Sequence, residues 1–141
     1  MIVVDTNILV YRCLPNPRSE AAAATLAFDP QWAAPHLWRS EFRNVLCGYL
    51  RAGRLDAAAA ERTIDRAASL LLGGEHFVQD RFVWELAARS RCTAYDLEFA
   101  GLAAALGTIL VTEDRDLLSA FPRLCRPLSD VSGKRPANGG R

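Results

Sequence analysis

With 141 residues, half of them apolar and 23% charged, the chain is sized for one globular domain that buries roughly 68–70% of its unfolded surface without staples. A net charge of +1 excludes the strongly basic footprint of a nonspecific duplex binder, so any nucleic acid must be held by a local patch. Four cysteines without a CxxC pair and only two histidines, His36 and His76, exclude a zinc signature, and the single Lys, Lys134, excludes a catalytic lysine inside the domain.

Ile2 to Val4 is a β-branched run ending at Asp5, as in a buried parallel strand. Only the four apolar residues Met1 to Val4 precede Asp5, too few for a signal-peptide core, and no run approaches a membrane span. The expected location is therefore the cytoplasm, with reduced thiols. Thr6 or Asn7 caps a helix to about Arg12, which Leu14-Pro15-Asn16-Pro17 stops. Ser19 opens an Ala-rich helix to about Phe28. Trp32 to Ala34 is a second strand, and Pro35 suits the first turn of the helix after it. In that helix Trp38, Phe42, Val45, Leu46, Tyr49 and Leu50 share an apolar face that Glu41 interrupts, and Gly53 ends it.

Asp56 caps a helix to about Leu72, with Ile64, Ala67, Ala68, Leu71 and Leu72 on one side, until Gly73-Gly74 breaks it. Phe77-Val78 is expected as a short strand, and Asp80 to Ala87 as a helix. Asp96 to Leu106 is a helix closed by Gly107, Thr108 to Thr112 a strand, and Asp116 to Ala120 a short helix. Residues 127–141 lack apolar periodicity and are expected as a flexible tail beyond a single domain of residues 1–126. Alternating strands and helices predict an α/β domain with a mostly parallel sheet. Trp32, Trp38 and Trp84 are expected in the core, and the histidines at the surface or as caps.

Four acids stand at informative places. Asp5 and Asp114 follow strands, Asp96 opens a helix, and Glu41 lies early on an inward helix face. In open α/β sheets ligands bind beyond the carboxyl ends of the strands, so one edge can collect all four. Two carboxylates about 4 Å apart repel by about 4 kcal/mol at an effective dielectric of 20. Several such pairs rival the stability of a domain, roughly 5–15 kcal/mol. The acids are therefore apart, protonated, or neutralised by a cation, and oxygen-only ligation suits Mg²⁺ or Mn²⁺. Each also has a local reading: Asp5 and Asp96 as helix caps, Asp114 as a turn residue, and Glu41 in a salt bridge to an arginine.

Asp5-Thr6-Asn7-Ile8-Leu9, Arg39-Ser40-Glu41-Phe42-Arg43-Asn44-Val45-Leu46, Tyr95-Asp96-Leu97-Glu98-Phe99 and Leu110-Val111-Thr112-Glu113-Asp114 resemble, in order, the motifs of PIN-domain ribonucleases. The small size resembles the VapC-type toxins of bacterial toxin–antitoxin pairs, and the likeness runs from residue 1 to about 126. It implies a PIN-like three-layer α/β/α domain, a homodimer, and a Mg²⁺- or Mn²⁺-dependent endoribonuclease that a cognate antitoxin inhibits over its groove. Carried over by position, Asp5, Glu41, Asp96 and Asp114 are the catalytic, metal-binding quartet, with Asn7 and Thr112 as supporting polar residues. Asp116 also follows the last strand and is the alternative fourth acid, although the Thr-x-Asp spacing favours Asp114. Glu98 is a further nearby acid. Arg12, Arg39, Arg43 and Arg115 are the cations near the motifs for substrate phosphates.

Two rivals stand against this. Phosphoaspartyl hydrolases and receiver-type phosphoacceptors also begin with a strand ending in Asp. They need a lysine near the phosphate, and the hydrolases need a second Asp where this chain has Asn7. The other rival is a catalytically inactive PIN-like RNA- or protein-binding module, against which all four acidic positions are filled.

Overall fold

The computed structural model describes residues 1–133. In chain order the elements are β1 (Ile2–Val4), α1 (Thr6–Cys13), α2 (Ser19–Phe28), β2 (Trp32–Pro35), α3 (Trp38–Arg51), α4 (Ala57–Leu70) and β3 (Glu75–His76). There follow α5 (Asp80–Ala87), α6 (Ala94–Leu106), β4 (Leu110–Val111), α7 (Arg115–Ala120), β5 (Cys125–Arg126) and α8 (Leu128–Ser132). The five strands form one sheet in the order β3-β2-β1-β4-β5, and every pairing is parallel. Helices flank the sheet, as the short parallel strands require if both faces are to be dry.

Strand β1 lies at the centre, and all three of its side chains are buried. The chain winds from β1 to β2 and β3 on one side and returns to β4 and β5 on the other. The gap beyond the carboxyl ends of β1 and β4 is thus the topological switch point, where open α/β sheets bind ligands. Helix α6 crosses behind it, with Leu97, Phe99, Ala100, Leu102 and Ala103 buried and its first turn open, as are Ala104 and Ala105 near its end.

Several boundaries differ from the sequence expectation. Strand β3 is Glu75–His76, not Phe77-Val78, and Phe77 is 90% exposed. The cause is Gly74, whose carbonyl accepts a hydrogen bond from Ala34 N at 2.9 Å. A Cβ there would stand 2.1 Å from Trp32 O, so only glycine lets the chain reach β2, and pairing begins at once with Ala34↔Glu75 and Pro35↔His76. Pro35 ends β2 instead of opening α3, at a position where a missing N–H costs least. Leu72 lies beyond α4 and is exposed.

The expected tail also begins too early. Residues 128–132 form α8, which buries Leu128 and Val131 and packs on α2. Glu113 Oε1 accepts from the Leu128 amide at 2.8 Å and fixes the start of that helix. Residues 134–141, the rest of the expected tail, lie outside the described residues. Trp32 and Trp38 are core as expected, but Trp84 is not: it stands on the outer side of α5, 62% exposed.

Candidate active site

Asp5 is the hinge of the site. It ends β1 and caps α1, its Oδ1 accepting from Thr6 N at 2.7 Å. Its Oδ2 accepts from Thr112 Oγ1 at 2.7 Å, across the switch point from the end of β4. Thr112 is fully buried, and its hydroxyl accepts in turn from Asp114 N at 3.0 Å. On the other side Thr6 Oγ1 donates to Glu41 Oε1 at 2.8 Å. One run of hydrogen bonds therefore links Asp114, Thr112, Asp5, Thr6 and Glu41, and fixes the first-turn acid of α3 against the end of β1.

Asp5, Glu41, Asp96 and Asp114 line one cavity of about 370 Å³, together with Asn7, Ser40 and Asn44. The local reading holds for Asp5, which is a helix cap. Asp114, expected as a turn residue, instead caps α7 by accepting from Leu117 N at 2.9 Å. Asp96 is no cap: Thr93 fills that role, its hydroxyl accepting from Asp96 N, and the Asp96 carboxylate lies at the helix mouth. Glu41 has no arginine partner among the described residues, and its contact is the Thr6 hydroxyl. Asp116 lines a separate hollow with Arg91, Cys92 and Ser119, so the cavity takes Asp114. Thr112 supports Asp5 from beneath, and Asn7 stands exposed at the rim.

Thr6, Ser40 and Asn44 escaped the sequence reading. Ser40 and Asn44 flank Glu41 at spacings of one and three, and Asn44 therefore shares its side of α3. The four arginines near the motifs do not line this cavity. Arg39 holds Glu75 with two hydrogen bonds, at 2.8 and 3.1 Å, and faces the groove between α3 and α4 together with Arg43. A larger hollow of about 410 Å³, walled chiefly by Phe82, Leu86 and Phe121, lies apart from the acids.

The electrostatics are unbalanced. Burial pushes the Asp5 carboxyl up, its two hydrogen bonds oppose this, and the charges of Asp96 and Asp114 add to it. Burial also raises Glu41, against the Thr6 hydrogen bond, with Asp5, Asp96 and Glu98 adding their repulsion. Asp96 is raised by burial and by Asp114 and Asp116. A hard cation would relieve all three. Among the described residues no three His, Cys, Asp or Glu side chains converge on one direct ligation point. That spacing fits Mg²⁺, which keeps several waters and takes one or two carboxylates directly. The donor set is oxygen throughout, so the cavity fits Mg²⁺ or Mn²⁺ and offers nothing to a softer ion.

Known proteins share this fold. The family model described as PIN domain matches residues 2–124. Ribonuclease VapC3 of Pyrobaculum aerophilum is 28% identical over 131 residues, which are 89% of this chain and 98% of that protein. Exonuclease VapC9 of the same organism is 37% identical over 84 residues, 60% of this chain, so the chain spans only 62% of that relative. The crystal structure of PAE2754 from Pyrobaculum aerophilum matches with a TM-score of 0.71 at 26% identity, covering 93% of this chain and 85% of that one.

Proposed function

The chain belongs to the PIN-domain family, and from that premise we propose that it is a Mg²⁺- or Mn²⁺-dependent endoribonuclease of the VapC toxin type, cytoplasmic and held inactive by a cognate antitoxin protein. What carries the proposal is the convergence of four acids, from β1, α3, α6 and the end of β4, on one cavity at the switch point. The VapC names of two relatives support the toxin assignment. The homodimer implied by the resemblance belongs to the same proposal.

One or two of Asp5, Asp96 and Asp114 would hold the cation directly and the rest through its waters, while Glu41 would orient a water or complete the shell. When bound, the ion supplies Lewis-acid activation of water and of the phosphoryl group. The chain's own residues do the rest. Thr6 and Thr112 lock Asp5 so that its remaining lone pairs face the cavity. Glu41, with Oε1 held by Thr6, keeps Oε2 free to orient a water for in-line attack on phosphorus and to accept its proton. Water adds to phosphorus as the P–O bond to the leaving sugar breaks. No protein nucleophile is needed.

The test is end-mapped cleavage of total cellular RNA by purified, antitoxin-free protein in Mg²⁺, Mn²⁺ or EDTA. Discrete metal-dependent cuts, absent in a folded Asp5→Asn variant, are expected. Folded protein that makes no cuts in either metal would point to the inactive binding module. Sedimentation of the same sample checks the dimer.

A further inference from the structure

A second cavity, of about 280 Å³, adjoins the acidic one, with His36, Phe77, Asp80, Trp84 and Glu98 in its walls. Two stretches of chain wall both. After β2, His36 faces the second cavity while Ser40 and Glu41 face the first. In α6, Ala94 and Glu98 line the second cavity, and Asp96 between them lines the first.

The exposed aromatic surface is concentrated here. Phe77 is 90% exposed and Trp84 62%, and Tyr95, beside Asp96, is 65% exposed. Phe77 meets His36 edge to face, with ring centroids 6.0 Å apart. Phe77 and Trp84 share the cavity with two acceptors, Asp80 and Glu98. Cores of protein interfaces are depleted of such charges. An open π-face beside unpaired acceptors instead suits an unpaired nucleobase, which stacks with its ring and donates from its edge. Adenine, cytosine and guanine carry an exocyclic amino donor, and uracil does not.

We infer that this cavity is a nucleobase subsite, which takes the unpaired RNA base next to the scissile phosphate, stacks it on Trp84 and Phe77, and turns its amino group toward Asp80 and Glu98. The inference rests on the endoribonuclease reading of the adjacent acids, and it predicts a preference for an amino-bearing base over uracil at that position.

Trp84 supplies the probe, because Trp32 and Trp38 are 2% and 0% exposed. In EDTA, where cleavage is off, short single-stranded oligoadenylate and oligocytidylate should shield Trp84 from acrylamide quenching, and oligouridylate less. With Mg²⁺ or Mn²⁺, Phe77→Ala combined with Trp84→Ala should lower kcat/KM about fivefold to a hundredfold, chiefly through KM, with Trp84→Phe restoring most of it. Wild-type protein that cuts RNA while the double variant cuts equally well, with no shielding, overturns the subsite and leaves the nuclease standing. Shielding by RNA without cleavage in any metal overturns the nuclease reading and leaves the cavity as an RNA-binding site. Shielding that appears on self-association alone, with the double variant turning a dimer into a monomer, overturns the subsite in favour of an interface between two copies.

Discussion

The two edges of the parallel sheet treat charge in opposite ways. At the amino edge, the Met1 ammonium meets Asp29 at 2.6 Å, and Thr108 Oγ1 donates to Met1 O at 2.7 Å. The ammonium there has an opposite partner. At the carboxyl edge, Asp5, Glu41, Asp96 and Asp114 share a cavity with neutral donors only: the Thr6 and Thr112 hydroxyls and backbone amides. The first edge has little to gain from a ligand. The second carries an unrelieved negative field, and hydroxyl struts hold Asp5, Glu41 and Asp114 in place. Strain kept rigid in this way is the mark of a site, since a flexible cluster would spread and lose it.

The sharpest way to break the contrast is Asp96→Asn. Thr93, not Asp96, caps α6, so the substitution removes charge without disturbing the helix start. Cleavage should fall to background while the melting temperature in EDTA at neutral pH rises, because the cost of burying the charge and the repulsion from Asp114 and Asp116 are relieved. A variant that cuts as well as wild type would remove the carboxyl edge from the chemistry. Next in size is Thr112→Val, which deletes the hydroxyl bridging Asp5 Oδ2 and Asp114 N. Losing an outer support of this kind costs about 10–100-fold in activity or metal affinity, and Thr112→Ser should recover most of it. A loss smaller than twofold in a titration of activity against Mg²⁺ would mean that the struts only fill space.

Much of this edge was legible in the sequence because it depends on short-range rules. A β-branched run followed by Asp, an acid on an apolar helical face, and Thr-x-Asp after a strand place the carboxylates without knowledge of long-range packing. What escaped depends on contacts between distant segments. The Thr6 hydroxyl reaches Glu41 across 35 positions, and nothing in Asp5-Thr6-Asn7 alone distinguishes a strut from a helix start. Gly74 looked like a breaker, whereas its missing side chain is what admits β3 to the sheet. Strand β5 and helix α8 are too short for a period of two or 3.6 to register; β5 is held by pairing with β4, and α8 by Glu113 and the α2 surface. Trp84 misled because burial is the usual fate of tryptophan, and exposure is decided by which side of α5 meets α6.

Two weaker perturbations test the edges as wholes. Asp5, Glu41 and Asp96 have folded-state pKa values raised above their unfolded values, which are about 3.9 for Asp and 4.3 for Glu. The native state therefore holds extra protons in that range, and the contribution to stability is complete below about pH 4 and lost as pH rises through the raised values. Glu75, lowered by its hydrogen bonds to Arg39, acts in the opposite sense, losing its contribution only as pH falls through its lowered value, beneath this window. In EDTA the melting temperature should thus decline from mildly acidic to neutral pH. Mg²⁺ at a hundred times its Kd should restore about 2.7 kcal/mol at neutral pH and flatten the decline. A flat profile in EDTA with no response to Mg²⁺ would mean that the carboxyl edge is already balanced. The smallest effect is expected from Asp29→Asn at the amino edge. Its ion pair is partly exposed, so solvent screening limits the loss to about 1 kcal/mol or less, and both cleavage and the Mg²⁺ response should stay at wild-type values. If Asp29→Asn instead altered the Mg²⁺ response, the two edges would be coupled through β1, and the separation of a stabilising edge from a reactive one would fail.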